Sequence, residues 1–161
     1  MPQLLAWLEA TPISLLVRES IWGFPIVVAI HIMGLMMSIG LLVWFDLRLL
    51  GASMRGYRAS AMYRRLAPWM FTGFAMMMLS GLMLFAAFAT AAYENLYFRI
   101  KVAAMVLAAV NAFVYHRYTE RRIVEWDAGA PPGGARLAGL VSICVWFVVI
   151  VSGRMMSYTM F

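Results

Sequence analysis

One cysteine, one lysine and two histidines are all that this 161-residue chain contains of those three types. The single Cys144 excludes an intramolecular disulfide and any zinc or iron–sulfur site built on cysteines. Charge is scarce too. Only 12% of the residues are Asp, Glu, Lys or Arg, where a soluble domain carries about 25%. Disorder requires low hydrophobicity and high charge, and 65% of this chain is hydrophobic, with a mean hydropathy of +0.84. The same figures argue against a soluble globule. The length fits one domain. It holds four membrane spans of roughly 20 residues and their loops, and leaves no room for a soluble domain beside them.

The charge that is present is mostly arginine. Lys101 is the one lysine among thirteen basic residues, and the formal net charge is +6. In a soluble protein that balance suggests nucleic acid. Here the arginines lie between apolar runs, as in the cytoplasmic loops of membrane proteins, so the reading is a lipid bilayer and no nucleic acid.

Four apolar runs stand out, at about 22–45, 66–92, 96–118 and 137–161. Each is long enough to cross a hydrocarbon core of about 30 Å. In lipid they must be helical, because no water satisfies the backbone. The first run is too long for a signal-peptide core and ends at Asp46 and Arg48. Pro68 is expected in the first turn of the second span, where its missing N–H costs little. Residues 3–19 have an apolar side and are split by Pro12; an interfacial helix is expected there. The fold class is therefore all-α: a polytopic four-transmembrane-helix bundle, residues 1–161 forming a single domain.

The 46–65 loop carries Arg48, Arg55, Arg58, Arg64 and Arg65, and the 117–136 loop carries Arg117, Arg121, Arg122 and Arg136. The turn Tyr93-Glu94-Asn95 carries no basic residue. The positive-inside rule puts both arginine-rich loops in the cytoplasm. A multi-pass protein of a bacterial inner membrane, with both termini periplasmic, is the expectation.

Ionisable groups inside a span are costly and are functional candidates by default. His31 lies nine residues into the first span, roughly 13 Å from its outer boundary. It suits a metal or haem ligand or a proton relay, or it simply hydrogen-bonds a neighbouring helix. Lys101 lies roughly 7 Å into the third span. It either snorkels or heads a functional face, since Ala104, Ala108, Asn111 and Tyr115 follow it at helical spacing. Arg154, in the fourth span, lies near the estimated level of His31; with Lys101 it would form a positive rim suited to carboxylates such as haem propionates. His116 lies roughly 16 Å deeper than His31, too far for both to ligate one haem, and reads as an interface residue. Fifteen methionines are mostly flexible filler. Met83 and Met105 fall near the level of His31, and thioethers ligate haem iron and Cu(I).

The strings Arg18-Glu19-Ser20-Ile21-Trp22-Gly23-Phe24-Pro25, Ile30-His31-Ile32-Met33-Gly34, Phe45-Asp46-Leu47-Arg48, Ser80-Gly81-Leu82, Phe98-Arg99-Ile100-Lys101 and Gly153-Arg154-Met155-Met156 together resemble an uncharacterised bacterial four-span inner-membrane family. More distantly the chain is similar to HemJ-type protoporphyrinogen oxidases and to the CopD copper-resistance family. HemJ-type proteins pair a first-span histidine with a third-span lysine and are associated with haem b; His31 and Lys101 match those positions.

The resulting expectation is a haem-b-binding membrane protein that serves electron transfer or anchors a periplasmic redox partner. His31 would be the metal ligand, and Lys101, Arg154, Asn111, Met105 and Met83 would surround the cofactor. The alternatives are a porphyrinogen or quinol oxidoreductase with a quinone partner, a copper-handling protein, and a cofactor-free structural subunit.

Overall fold

The computed structural model describes residues 2–119, 123–127 and 129–160. Four helices are long and apolar enough to cross a membrane: Gly23–Leu50, Ala59–Ala87, Leu96–Thr119 and Gly133–Met160. The chain is thus an all-α, multi-pass membrane bundle. Shorter helices decorate its ends: Pro2–Glu9, Pro12–Glu19, Ala89–Glu94 and Ile123–Trp126.

The amino-terminal stretch divides where the sequence says it should. The Thr11 side chain caps the second short helix, and Pro12 sits at its start. There proline loses no hydrogen bond and already has a helical φ. Ser14 and Val17 are fully buried, and Val17 packs with Val27 and Ala87. The Thr90 amide donates to Glu9 at 2.7 Å, and the Asn95 amide group donates to Thr159 at 2.8 Å. These contacts gather both terminal regions and the 88–95 connection at one end of the bundle. The two arginine-bearing connections lie at the other.

Several boundaries differ from the sequence reading. The first helix runs on to Leu50, so Asp46 and Arg48 belong to it and are buried, where a polar flank is expected. Gly51 ends it with φ +71°, a conformation that glycine adopts without the penalty of a Cβ. The second span begins at Ala59 and includes Arg64 and Arg65. Pro68 therefore lies in the interior of that helix, not in its first turn. The helix starts early because Asp127 caps it. The Ser60 amide and hydroxyl donate to the Asp127 carboxylate at 2.7 and 2.6 Å, and the Ala59 amide donates to its carbonyl at 3.2 Å. Arg136 lies in the fourth helix, and Arg117 in a π-turn. Arg121, Arg122 and Phe161 fall outside the described residues.

Glycines set the helix order. A Cβ on Gly34 would fall 2.6 Å from the Met77 nitrogen, and one on Gly73 would fall 2.6 Å from the Ser38 nitrogen. Backbones of the first and second spans meet there, as small residues permit in membranes. A Cβ on Gly139 would lie 2.9 Å from the Asp46 carbonyl oxygen, so the first span also presses against the fourth. The third span covers the fourth through Ala104 and Ala108. The second and third spans are neighbours that meet chiefly at their ends. Phe85 stacks on Phe98 at 5.2 Å near one end, and Tyr63 meets His116 edge-on at 5.9 Å near the other. Between these pairs the bundle is open.

Candidate functional site

Two polar levels lie inside the bundle. The first is built around His31. Its Nδ1 lies 3.1 Å from Ser80 Oγ on the second span. Ser80 Oγ also lies 2.6 Å from the Met76 carbonyl and 3.2 Å from the Met77 carbonyl, and the imidazole has a further hydrogen bond to the Met77 backbone. With these carbonyls as the hydroxyl's acceptors, the tautomer assigned to His31 carries its proton on Nδ1. The neutral imidazole then carries its lone pair on Nε2. Such a partner on one ring nitrogen orients the other as a ligand. Gly81 makes the arrangement possible, because a Cβ there would stand 3.1 Å from His31 Cε1.

Lys101 reaches the same level from the third span, which lies diagonally across the bundle from the first. Its side chain passes over Gly153, whose added Cβ would lie 3.7 Å from Nζ. Asn95 and Thr159 pair on the same two helices, six residues on from Lys101 and Gly153 in each chain direction. The lysine thus stays at the depth of its own Cα and does not extend toward the terminal end, as snorkelling requires. Its ammonium is near enough to His31 for its charge to act on the imidazole.

The other expected residues are dispersed. Arg154 is exposed, donates to the Tyr158 hydroxyl at 2.9 Å and lies over that ring at 4.8 Å. Asn111 donates to the Ala138 carbonyl at 3.0 Å, joining the third and fourth spans. Met105 packs against the central core, and Met83 against the cluster of Val17, Val27 and Ala87. His116 sits exposed near the loop end. Among the described residues no three of His, Cys, Asp and Glu stand together to hold a metal.

The second level was not singled out by the sequence reading. Asp46 is 3% exposed and receives a hydrogen bond from Ser142. Its Oδ2 is buried without a hydrogen-bond partner among the described residues. Asp46 borders a cavity of about 580 Å³ between the second and third spans. Two π-turns, Met36–Gly40 and Tyr115–Thr119, contribute to its wall through Ser38, Ile39, Tyr115 and His116. π-Turns recur at functional sites. The signal available in the sequence was an acidic residue followed by four more helix-forming residues before Gly51.

Arg48, one turn short of the loop end, is 0% exposed. Its Nε donates to the Tyr57 carbonyl at 2.8 Å and its Nη2 to the Asp127 carbonyl at 3.2 Å. A buried guanidinium needs such partners. It thereby joins both loops. Desolvation pushes the Asp127 carboxyl up, but the Ser60 bonds and the Arg58 and Arg48 charges outweigh it and hold it below the ordinary carboxylate value.

Comparison with curated proteins and with solved structures returns no match, and neither the HemJ-type nor the CopD similarity finds support there. A family model described as a family of unknown function, DUF6644, matches residues 21–159. That stretch includes all four spans, both polar levels and the buried arginine, and the chain belongs to this family.

Proposed function

We propose that this is a haem-b-binding membrane protein that transfers electrons, with His31 and Lys101 as the residues that hold the group. The observation that carries the reading is the Ser80 bond to His31 Nδ1, which leaves Nε2 with its lone pair inside an apolar bundle. Lys101 supports it. The ammonium lies inward, beside Gly153, and no carboxylate pairs with it among the described residues. A lysine kept in such a setting is able to lose its proton and become a ligand, which arginine does not. Haem bound there would supply one-electron redox chemistry. The chain's own part would be to fix the imidazole tautomer, to exclude water and to supply a second nitrogen, that of Lys101, from the diagonal helix. This pairing of a first-span histidine with a third-span lysine is what the HemJ-type resemblance implies.

The test is an optical spectrum of the purified protein with its His31 and Lys101 variants. A Soret band is expected, lost in His31→Ala and kept in His116→Ala. Lys101→Met should keep a low-spin spectrum, since a thioether also ligates haem, while Lys101→Arg should not. A protein that takes up no haem, or a His31→Ala variant with full haem content, overturns the reading.

We further propose that the arginine-bearing end faces the cytoplasm and both termini face outward, supported by nine arginines in those two loops and helix ends. Reporter fusions at Gly56 and Gly129 should both read cytoplasmic; a periplasmic signal from either reverses the orientation.

A further inference from the structure

The cavity between the second and third spans has a construction unlike the rest of the bundle. At the loop end it is bordered by Tyr63 and His116, which meet edge-on, and toward the other end its lining stops at Met78 and Val102. Its side is open to where lipid would lie, because Phe71 and Val106 border it and are 65% and 59% exposed. Its walls are mainly apolar, with Ser38, Asn111, Tyr115, His116 and Ser142 the polar residues beside Asp46. Phe74 and Trp146, which meet edge to face at 6.3 Å, close the back. Against this background stands one carboxyl group, that of Asp46. One oxygen accepts from Ser142, and the other, Oδ2, is buried with no hydrogen-bond partner among the described residues. Leaving a buried polar atom unmade is expensive, and more so in hydrocarbon than in water. A fold that keeps such an atom beside an open space has room for a group that would complete it.

These features define the ligand. It must arrive through the bilayer, so it is lipid-soluble. It must meet one carboxyl oxygen with a hydrogen-bonding group, and a hydroxyl does so. It must lie among aromatic rings, which favour edge and face contacts with another ring. The volume of about 580 Å³ falls within the usual range for sites that hold a small organic molecule, roughly 300–1,000 Å³. We propose that this lateral cavity binds a membrane-dissolved aromatic alcohol, a phenol or quinol head on an apolar tail, with its hydroxyl donating to Asp46 Oδ2. The ring enters between the second and third spans and the tail remains in the lipid. The proposal does not depend on haem at His31, whose imidazole is not part of the cavity wall.

Trp146 reports on the cavity directly. The probe is a bromine-substituted 4-decylphenol, whose bromine quenches nearby tryptophan, added to the full-length protein in detergent. Saturable quenching is expected, reduced in Trp146→Phe by the share that Trp146 contributes. The methyl ether of the same probe lacks the donor and should bind up to about tenfold more weakly, as expected for loss of one buried hydrogen bond. Asp46→Asn should narrow the gap between phenol and ether. Should Asp46→Asn fold poorly, Val106→Trp serves instead. It changes an exposed residue at the mouth and should block the phenol while leaving the helical content unchanged. Equal binding of phenol and ether overturns the proposal. So does quenching of Trp146 by phospholipid with brominated acyl chains that the phenol cannot displace, which would assign the space to a lipid tail.

Discussion

The two polar levels of the bundle are opposites in construction. At His31 the helices are drawn together. Gly34 and Gly73 bring two backbones into contact, Gly81 admits the imidazole edge, and Ser80 satisfies one ring nitrogen. At Asp46 the second and third spans stand apart, and a buried oxygen goes without a partner among the described residues. Both levels place an ionisable side chain where hydrocarbon surrounds the protein. The first level is fixed by packing, which holds the imidazole in one orientation. The second is bordered by space that opens sideways, past exposed Phe71 and Val106. A histidine and an aspartate thus differ here less by their chemistry than by how tightly the neighbouring helices close.

The sharpest way to break this contrast is to add bulk to each level. Gly34→Leu would force side-chain atoms into the Met77 and Gly73 backbones and should destabilise the bundle by about 3 kcal/mol, at the upper end of overpacking costs. Ala109→Leu puts similar bulk on an exposed residue bordering the open cavity and should cost less than about 0.5 kcal/mol. Unfolding midpoints in mixed detergent measure both. Equal losses would mean that the cavity is as tightly closed as the glycine crossing.

Next in size is Arg48→Ala. The cavity level lies directly beside the loop end, where Arg48 holds the Tyr57 and Asp127 carbonyls. Two partly buried carbonyls lose their donor, and a cost of about 1 kcal/mol is expected. Faster proteolysis at residues 51–58 should accompany it, while the spectroscopic environment of His31 stays unchanged. If the variant disturbs His31 as much as the loop, the two levels are one cooperative unit.

The smallest effect concerns Asp127. Its carboxyl titrates below the ordinary carboxylate value in the folded chain. A depressed carboxyl stabilises the fold at pH above its unfolded value, about 3.9, and that contribution is lost as pH falls through the folded value. Unfolding midpoints should therefore decline below about pH 4 more steeply in the wild type than in Asp127→Asn. The difference should shrink in high salt, because the group is partly exposed to solvent. An identical acid profile for the two proteins would show that the Ser60 bonds do not depend on the charge.

How much of this was legible beforehand depended on how far each signal extends along the chain. Spans are legible because 20 apolar residues are a long message, and Pro12 with Thr11 marks a helix start within two positions. The face that Lys101 shares with Ala104, Ala108 and Asn111 follows from helical spacing alone, whereas whether Lys101 turns inward or snorkels is decided only by the passage of its side chain over Gly153. Asp46 and Arg48 were hidden by their neighbourhood: two charged residues after an apolar run look like a membrane boundary, and only the contact of Gly139 with the Asp46 backbone shows that the helix continues inside the bundle. Their partners, Ser142 and Asp127, lie far along the chain, where periodicity gives no guidance. The early start of the second span has the same cause, since its cap comes from Asp127. Cavities are the least legible of all, because they depend on which helices fail to meet.

The π-turn at Met36–Gly40 has a consequence for the length of the first span. A π-turn stores one residue more than the α-turn it replaces, and Ser38 compensates for the widened ring by donating to the Gly34 carbonyl at 2.7 Å. The span therefore carries slack at its midpoint. Elsewhere in the helix, removing one residue would rotate everything beyond it by about 100° and shorten it by about 1.5 Å, turning Asp46 away from Ser142. Removing Gly40, which has open space around its α-carbon, would instead let the turn relax to an ordinary α-helix with His31 and Asp46 still on their present faces. Relatives of this chain are thus free to differ by one residue at this place, and only here along the first span, without losing alignment between its two halves.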